Sequence, residues 1–352
     1  MDKETIDLNL DLFQCKEDYL CKIDIPESVV GLDNGISTIV ILDKSGSMYG
    51  SMEKITQSLL PELFTNLKYK DNQLITIISF STKSQIQTYE FSEIKEGIEI
   101  DASGHTEMCP ALKLLEDFLE KDTNKNVRIL SISDGELDDQ EETVKYSNEI
   151  LDYIKHHKLL VNSQAIRFFT STFQPDTRGL SACLQFSNVS NPKLIDIQAD
   201  TYKYDKYEDL FQSDSFDSRT VLECESESIK IEPWENYSKE ISLKKGENIF
   251  WMKKEIGDKL LEGEDDLINI AGISKNKEIN FNIELKEQIS FNNFKNIISG
   301  KVNFYMQKLK VFKVLGSDNS LKQMDTIIEF FEKFENQLLV HEEVKKLDNS
   351  LK

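Results

Sequence analysis

The spacing of apolar residues changes twice along the chain, and each change marks a different predicted structure. Between residues 36 and 213, β-branched apolar runs alternate with segments in which apolar residues recur every three or four positions. The first pattern is typical of buried strands and the second of amphipathic helices. Their alternation predicts an α/β fold with a doubly wound, mostly parallel sheet and helices on both faces. The predicted strands are residues 37–42, 74–80, 84–89, 127–133, 159–169 and 194–197, and the predicted helices are residues 52–67 (broken near Pro61), 107–121, 139–157, 177–187 and 203–211.

Near Phe216 the pattern becomes one of short apolar alternations separated by polar, glycine-containing turns. Alternation with a period of two predicts half-buried strands, and we expect those between residues 216 and 289 to form a small β-sandwich. Residues 19–25 alternate in the same way, and we expect this strand to join the sandwich as an added edge, whereas residues 1–16 show no clear period. The predicted strands of the sandwich are residues 221–224, 229–232, 241–243, 248–252, 267–271 and 278–285.

Helical spacing returns in the last stretch of the chain. One apolar stripe runs from Phe291 to Phe312 and is interrupted by Gly300, and a second runs from Leu321 to Leu338. A short turn between them predicts a C-terminal helical hairpin. These patterns divide the chain into an α/β domain over residues 33–213, a β-sandwich built from residues 17–32 and 216–289, and C-terminal helices over residues 290–348.

One loop of the α/β domain carries oxygen-bearing side chains at alternate positions directly after a buried strand: Asp43, Ser45 and Ser47. Oxygen ligands select a hard divalent cation, with Mg²⁺ first and Mn²⁺ or Ca²⁺ as substitutes. One loop cannot fill an octahedral shell, so further ligands should come from other strand ends at the same edge of the sheet, where open α/β sheets bind their ligands. Thr106, just before a predicted helix, and Asp134, just after a predicted strand, are the candidates.

Together, the run Asp43-Lys44-Ser45-Gly46-Ser47-Met48, Thr106 after a glycine-containing turn, and Ser133-Asp134-Gly135 resemble the metal-ion-dependent adhesion site (MIDAS) of von Willebrand factor type A (vWA) domains. The resemblance covers about residues 33–213. It implies that the three hydroxyls bind the metal directly and that the two carboxylates act partly through water. The chain departs from the family's commoner residues at His105 and at Ser133.

The order of a vWA domain, a sandwich and C-terminal helices also resembles multidomain proteins that pair these parts. Some of those proteins carry RING modules, but this chain has no RING-type cluster of Cys and His, so ubiquitin-ligase activity is not implied.

Three residues beside the candidate site are predicted to contact a partner: Met48, Tyr49 and His105. An apolar rim of Met48 and Tyr49 around the metal and simple packing at the start of the helix are equally consistent with their position. His105 fits a role at the rim, and it also fits an exposed loop position without a partner.

The amino-acid composition limits the kinds of partner and the cellular compartment that we expect. A formal net charge of -21 repels phosphate backbones, so we expect no nucleic-acid partner. No apolar run approaches the roughly 20 residues that span a bilayer, so we expect no membrane insertion. The five cysteines contain no C-x-x-C pair, and the charged N-terminus contains no secretory pattern. These features predict a cytoplasmic protein.

Motifs for catalysis are missing from the sequence, which has neither G-x-S-x-G nor the phosphate-binding pattern G-x-x-x-x-G-K-[ST]. We therefore expect a protein that is not an enzyme: an adhesion or scaffold module that binds a partner's Asp or Glu carboxylate through Mg²⁺ at the MIDAS. The alternative is an accessory or adaptor subunit of a larger complex, for example an AAA+ machine, in which the metal is mainly structural.

Overall fold

The computed structural model describes residues 4–15, 18–26, 35–135, 137–169, 177–198, 210–211, 220–232, 235–243, 246–264, 267–274, 277–286 and 291–338. The chain divides into two compact units. The β unit comprises residues 1–35, 215–306 and 323–352, and the α/β unit comprises residues 36–214 and 307–322. The predicted C-terminal helices, residues 290–348, extend beyond the described residues, and within this division residues 307–322 belong to the α/β unit.

Strands and helices are numbered separately, each in the order in which they occur along the chain. The strands are β1 (Glu4–Cys15), β2 (Asp18–Ile25), β3 (Ile36–Asp43), β4 (Leu74–Phe80), β5 (Gln85–Glu90), β6 (Asn126–Ser133), β7 (Leu160–Phe169), β8 (Leu194–Gln198), β9 (Thr220–Cys224), β10 (Ile229–Lys230), β11 (Glu240–Leu243), β12 (Gly246–Lys253), β13 (Ile268–Ser274) and β14 (Lys277–Lys286). The α-helices are α1 (Tyr49–Lys54), α2 (Leu60–Asn66), α3 (Phe91–Glu96), α4 (Cys109–Lys121), α5 (Gln140–His156), α6 (Arg178–Leu184), α7 (Lys254–Leu261), α8 (Phe291–Leu315) and α9 (Asp318–Leu338). No described helix is long and apolar enough to cross a membrane.

The sheet of the α/β unit has the strand order β5-β4-β3-β6-β7-β8. All neighbouring strands run parallel except β5, which is antiparallel to β4. Alternate residues of β3 enter two different hydrophobic clusters: Val40 and Leu42 lie in the cluster with residues of α1 and α2, whereas Ile39 and Ile41 lie in the cluster with residues of α4 and α5. Helices therefore cover both faces, and the expected doubly wound α/β fold is confirmed.

The predicted elements of this unit lie close to the observed ones, with two exceptions. The short helix α3 is not expected from the sequence. The predicted helix 203–211 lies outside the described residues except for its last two, Leu210 and Phe211, which are buried and not helical. The expected break before Pro61 is present as a π-helical turn, Ile55–Leu59, between α1 and α2, since proline cannot donate the backbone hydrogen bond that a regular helix needs.

The β unit contains one hydrogen-bonded sheet of eight strands, in the order β10-β12-β2-β1-β14-β13-β9-β11. The expected sandwich would need two separate sheets. Here β1 joins the two halves, because it pairs with β2 on one side and with β14 on the other. An isolated bridge joins Ile229, in the end strand β10, to Ser238, which precedes the other end strand β11 by two residues.

Strand β2 is not the added edge that its sequence predicts. It lies between β12 and β1, because the N-terminal residues form a strand that covers its second side. Strand β1 alternates apolar and polar residues, with Leu8, Leu10 and Leu12 buried in the core of this unit.

Helix α8 runs without interruption through Gly300, so the expected break at this residue is absent. Glycine weakens a helix by only about 1 kcal/mol relative to alanine, and the apolar stripe continues on both sides of it. Residues 307–322 are fixed within the α/β unit by polar contacts. The Lys308 ammonium donates a hydrogen bond of 2.7 Å to the carbonyl of Gln185, at the C-terminal end of α6.

Replacing Gly257 with Ala should destabilise the β unit by about 1–3 kcal/mol, the usual cost of overpacking a core. A methyl group at this position of α7 would lie 2.3 Å from a carbon of the Tyr19 ring. Chemical denaturation measures the free energy of unfolding. In a Tyr19→Ala background the same glycine replacement should cost much less, and an equal cost in both backgrounds would contradict the packing explanation.

Candidate functional site

The carboxylate of Asp43, the last residue of β3, is the fixed centre of the candidate site. Its side chain is 0% exposed. One oxygen, Oδ1, accepts the Ser45 N–H at 2.8 Å, and the other, Oδ2, accepts the Ser133 hydroxyl at 2.7 Å. Ser133 in turn accepts the Gly135 N–H at 3.0 Å. The carboxylate is thus held in one orientation by the ends of two neighbouring parallel strands.

Burial raises the pKa of Asp43 to about 6, and the nearby carboxylate of Asp134 contributes to the rise. Hydrogen bonds from Ser133 and Ser45 act in the opposite direction, because they stabilise the charged form. The net effect is a buried carboxyl group whose negative charge is disfavoured in the protein alone. A cation beside it would offset this cost.

Two hydroxyls follow Asp43 in the same loop. The oxygens Ser45 Oγ and Ser47 Oγ lie 3.0 Å apart, with Ser45 buried and Ser47 exposed. A short 3₁₀ turn, Gly46–Met48, begins between them and closes with the Met48 N–H donating to the Ser45 carbonyl at 3.1 Å. The turn therefore places both hydroxyls together above the end of β3.

The second loop, which precedes α4, is bonded to the first through its backbone. Gly46 N–H donates to the Gly104 carbonyl at 3.1 Å, and Ser103 N–H donates to the Lys44 carbonyl at 2.7 Å. Gly104 has a φ of +86°, a left-handed conformation that favours glycine. Through these bonds the loop carries the buried Thr106 to the same edge of the sheet as Asp43.

Two aspartates that precede α5 fix this second loop. Asp138 Oδ2 accepts the Thr106 N–H at 3.0 Å, and the Asp138 N–H donates back to the Thr106 carbonyl at 2.9 Å. Asp139 accepts the backbone N–H groups of Met108 and Cys109 and so caps the N-terminus of α4. The sequence does not predict this role, because Asp139 directly precedes α5 and lies about 30 residues from the N-terminus of α4.

Asp134 follows β6 and is half-buried. Its negative charge contributes to the raised pKa of Asp43, the last residue of the neighbouring parallel strand β3. Loops after β3 and β6 and the loop before α4 therefore converge, and they carry all five predicted metal ligands: Asp43, Ser45, Ser47, Thr106 and Asp134. Within the described ranges, no group of three or more His, Cys, Asp or Glu side chains is placed to hold a metal ion, so a cation here would depend on hydroxyl ligands.

The three residues predicted to contact a partner differ in exposure. Tyr49 is 81% exposed at the start of α1, and the His105 side chain is 77% exposed, with Nδ1 3.6 Å from Asp138 Oδ2. Met48, in contrast, is 1% exposed and lies in the core beneath α1 and α2. The structure thus contradicts the assignment of Met48 to the rim, because its position at the helix start directs the side chain inward.

The part of the chain that holds this site is similar to a known family of domains. Residues 38–136 match the family model of the von Willebrand factor type A domain. No curated protein matches the chain. Among solved structures, the ArnB paralog VWA2 from Sulfolobus acidocaldarius is similar, with a TM-score of 0.52, 16% sequence identity, and coverage of 96% of this chain and 90% of that chain. At this identity the similarity shows the fold alone.

Two other solved structures resemble smaller parts of the chain. Manganese-loaded TRAP protein from Plasmodium vivax has a TM-score of 0.37 and 12% identity, covering 57% of this chain and 77% of that chain. Proximal thread matrix protein 1 from the mussel byssus, with a zinc-occupied MIDAS motif, has a TM-score of 0.37 and 13% identity, covering 52% of this chain and 46% of that chain.

Proposed function

We propose that this chain, which carries a von Willebrand factor type A domain over residues 38–136, is a protein-binding module that captures a partner's Asp or Glu through a divalent cation. The family is often metal-dependent and mediates protein interactions. For this chain we further propose which residues bind the metal, which metal they bind, and that the partner supplies a carboxylate. The proposal also makes the protein a binding module and not an enzyme.

The observation that carries the proposal is the pairing of a fully buried carboxylate with neutral hydroxyls at the end of a strand. Asp43 is enclosed, its charge is disfavoured by burial, and the charge of Asp134 raises its pKa further. Burying charge of one sign is costly unless it is compensated. The oxygen donors Ser45 and Ser47, 3.0 Å apart, match the preference of Mg²⁺ for hard ligands.

The arrangement of the ligands supports an outer role for Asp43. Both of its oxygens already accept hydrogen bonds from protein donors, so it is oriented to act through water. Ser45, Ser47 and Thr106 would then provide the direct contacts. Neutral hydroxyl ligands leave a bound Mg²⁺, or a substituting Mn²⁺ or Ca²⁺, with enough positive charge to attract a carboxylate from a partner.

The exposed side chains at the edge of the site define where a partner would contact the protein. Tyr49 and His105 are both exposed beside the loops that carry the ligands. Tyrosine offers a large contact area at low cost in conformational entropy. We propose Tyr49 and His105 as partner-binding residues, and we withdraw Met48 because it is buried.

Charge and cysteine usage support the remaining parts of the proposal. The net charge of -21 disfavours nucleic acid as a partner. None of the cysteine side chains that the structure describes, those of Cys21, Cys109, Cys183 and Cys224, is in a disulfide. This is the usage expected of a reducing compartment, and we propose the cytoplasm.

Asp43→Ala should abolish metal-dependent partner capture while leaving the fold intact. Immobilised wild-type protein is incubated with cell extract in Mg²⁺ and in EDTA, and the proteins captured only in Mg²⁺ are identified by mass spectrometry. Asp117→Ala is the matched control, because Asp117 is an exposed carboxylate on the outer side of α4. It should capture the same proteins as the wild type.

Two outcomes would contradict the proposal. Capture that is equal in Mg²⁺ and EDTA would remove the metal from the interaction. The second is that the Asp43→Ala variant still captures the same proteins while removal of the metal lowers the thermal stability of the protein. This result would indicate that the metal is structural and that partners bind elsewhere.

A further inference from the structure

Strand β5 is the outermost strand of the sheet in the α/β unit, and in the part of the chain that the structure describes no strand pairs with its second edge. Five of its six residues are exposed, and Tyr89 alone is half-buried. An open strand edge offers unpaired backbone N–H and C=O groups to another strand. This edge is separate from the candidate metal site, and the proposed function does not use it.

The backbone groups that face the open edge can be identified from the ladder with β4. Phe91 N–H donates to the Gln73 carbonyl at 2.8 Å, and Ser81 N–H donates to the Lys83 carbonyl at 3.2 Å. The pairs Gln73–Phe91 and Ser81–Lys83 continue the antiparallel register of β4 and β5, one beyond each end of the ladder. Hydrogen-bonded and non-hydrogen-bonded pairs alternate along such a ladder.

It follows that the backbone groups of alternate residues point toward β4, namely those of Gln85, Gln87 and Tyr89. The backbone groups of the residues between them, Ile86 and Thr88, point toward the open edge. The side chains agree with this assignment. Thr88 Oγ1 lies 3.0 Å from Thr76 Oγ1, as expected for a non-hydrogen-bonded pair, in which the side chains are closer.

The open edge lacks the features that usually prevent strand pairing. Residues 85–89 contain no charge and no proline in a chain that is 30% charged. Ile86 is 43% exposed on this edge. A net charge of -21 makes two copies of the chain repel each other. In β5 only the last residue, Glu90, is charged, so residues 85–89 form a surface where two copies can approach.

We propose that β5 pairs with β5 of a second copy of this chain, so that two six-stranded sheets join into one continuous sheet. The two copies would be related by a two-fold axis perpendicular to the sheet. This axis makes the two β5 strands antiparallel and places corresponding faces of the two sheets on the same side. Ile86 of each copy then pairs with Thr88 of the other and exchanges both backbone hydrogen bonds. Gln87 lies on the axis, opposite the same residue of the second copy.

The hydrogen bonds already present favour this register. A shift of two residues in one direction would place Glu90 opposite Ile86, but the Glu90 N–H is already bonded to the Glu93 carboxylate at 2.7 Å. A shift in the other direction would use Ser84, which lies outside the strand. The proposed register uses the two strand residues whose outward groups are available, and it places no two like charges opposite each other.

Introducing a charge at Gln87, the residue on the two-fold axis, tests the proposal. Gln87→Lys and Gln87→Glu each place like charges directly opposite in a dimer, and each should weaken dimerisation about tenfold or more. Mixing the two variants should restore dimers, because opposite charges then face each other. Neither variant should disturb the fold, since the Gln87 side chain is exposed. Sedimentation equilibrium should give twice 40.7 kDa for the wild type and for the mixture.

Asn66→Lys and Asn66→Glu are the controls, because they make the same changes in net charge at an exposed residue of α2, and they should dimerise like the wild type. A wild type that remains monomeric at the highest soluble concentration would overturn the proposal. So would Gln87 variants that dimerise as the wild type does, since that result would place the interface elsewhere. In the wild type, hydrogen exchange at the Ile86 and Thr88 amides should slow as protein concentration rises.

Discussion

Asp43→Asn is expected to stabilise the metal-free protein at neutral pH and, at the same time, to remove its response to Mg²⁺. Burial raises the pKa of Asp43 from 3.8 to about 6 in the folded protein. The folded state therefore binds more protons than the unfolded state between these two pH values. Stability falls as the pH rises through this window, and the loss is complete above pH 6.

The asparagine side chain avoids this loss, because it is neutral at every pH. It also keeps an oxygen to accept the Ser45 N–H, which now donates to Asp43 at 2.8 Å. A shift of about two pKa units corresponds to roughly 3 kcal/mol. In EDTA, the difference in free energy of unfolding between variant and wild type should grow from near zero at pH 4 to about this size at pH 7.

Excess Mg²⁺ should reverse the order of stability. A ligand at about 1,000 times its dissociation constant stabilises the folded state by about 4.1 kcal/mol, more than the roughly 3 kcal/mol that separates the two proteins at pH 7 in EDTA. The wild type should gain this stability, whereas the variant should gain little. Chemical denaturation at several pH values, with and without metal, measures both effects. Asp117→Asn, an exposed carboxylate, should change neither, and a variant that is less stable than the wild type at pH 7 in EDTA would contradict the assigned cost of burial.

Gly104→Ala is the second change with a large expected effect. Its φ of +86° is costly for any side chain, and a methyl group here would lie 2.6 Å from Thr82 Oγ1. That hydroxyl accepts the His105 N–H at 2.9 Å. The loop must therefore move, and its movement would disturb the bond from Gly46 N–H to the Gly104 carbonyl that joins the two ligand loops.

The expected cost is about 1–3 kcal/mol of stability, together with a loss of Mg²⁺ affinity of about tenfold, as for changes to residues that support metal ligands. Gly50→Ala is the matched control. A methyl group on this helical glycine meets nothing within 4 Å, so the variant should gain about 0.5–1 kcal/mol and bind Mg²⁺ unchanged. Calorimetric titration distinguishes the two variants, and equal affinities would show that the second loop does not hold the ligands in place.

The sequence predicts the α/β unit well because its signals are local. The apolar run that ends at Asp43 predicts a buried strand, and the loops after β3 and β6 lie at the same edge of the sheet because these two strands are parallel neighbours. The doubly wound α/β fold follows from these features, whereas the vWA family is indicated by the resemblance of the motif residues. The roles of loop residues such as Asp138 and Asp139 are not predictable in this way, because their bonds join segments about 30 residues apart, and such pairing leaves no periodic signal.

The errors in the β unit arise from pairing that periodicity alone does not specify. Ile6, Leu8, Leu10 and Leu12 do alternate with polar residues, and this is the signal that could have predicted β1. The parallel pairing of β1 with β14 joins segments more than 250 residues apart. The pairing of β1 with β2, whose other side pairs with β12, makes the expected edge strand β2 an interior strand. Met48 shows the same difficulty at one residue, because an apolar residue beside a site fits either the rim or the core.

Direct titration of the purified protein with Mg²⁺ tests the central claim, that the three loops hold a divalent cation. We expect isothermal titration calorimetry to detect one ion per chain for the wild type and for Asp117→Ala, and none for Asp43→Ala. Binding of one ion with unchanged affinity in Asp43→Ala, or no binding by the wild type of Mg²⁺, Mn²⁺ or Ca²⁺, would contradict it.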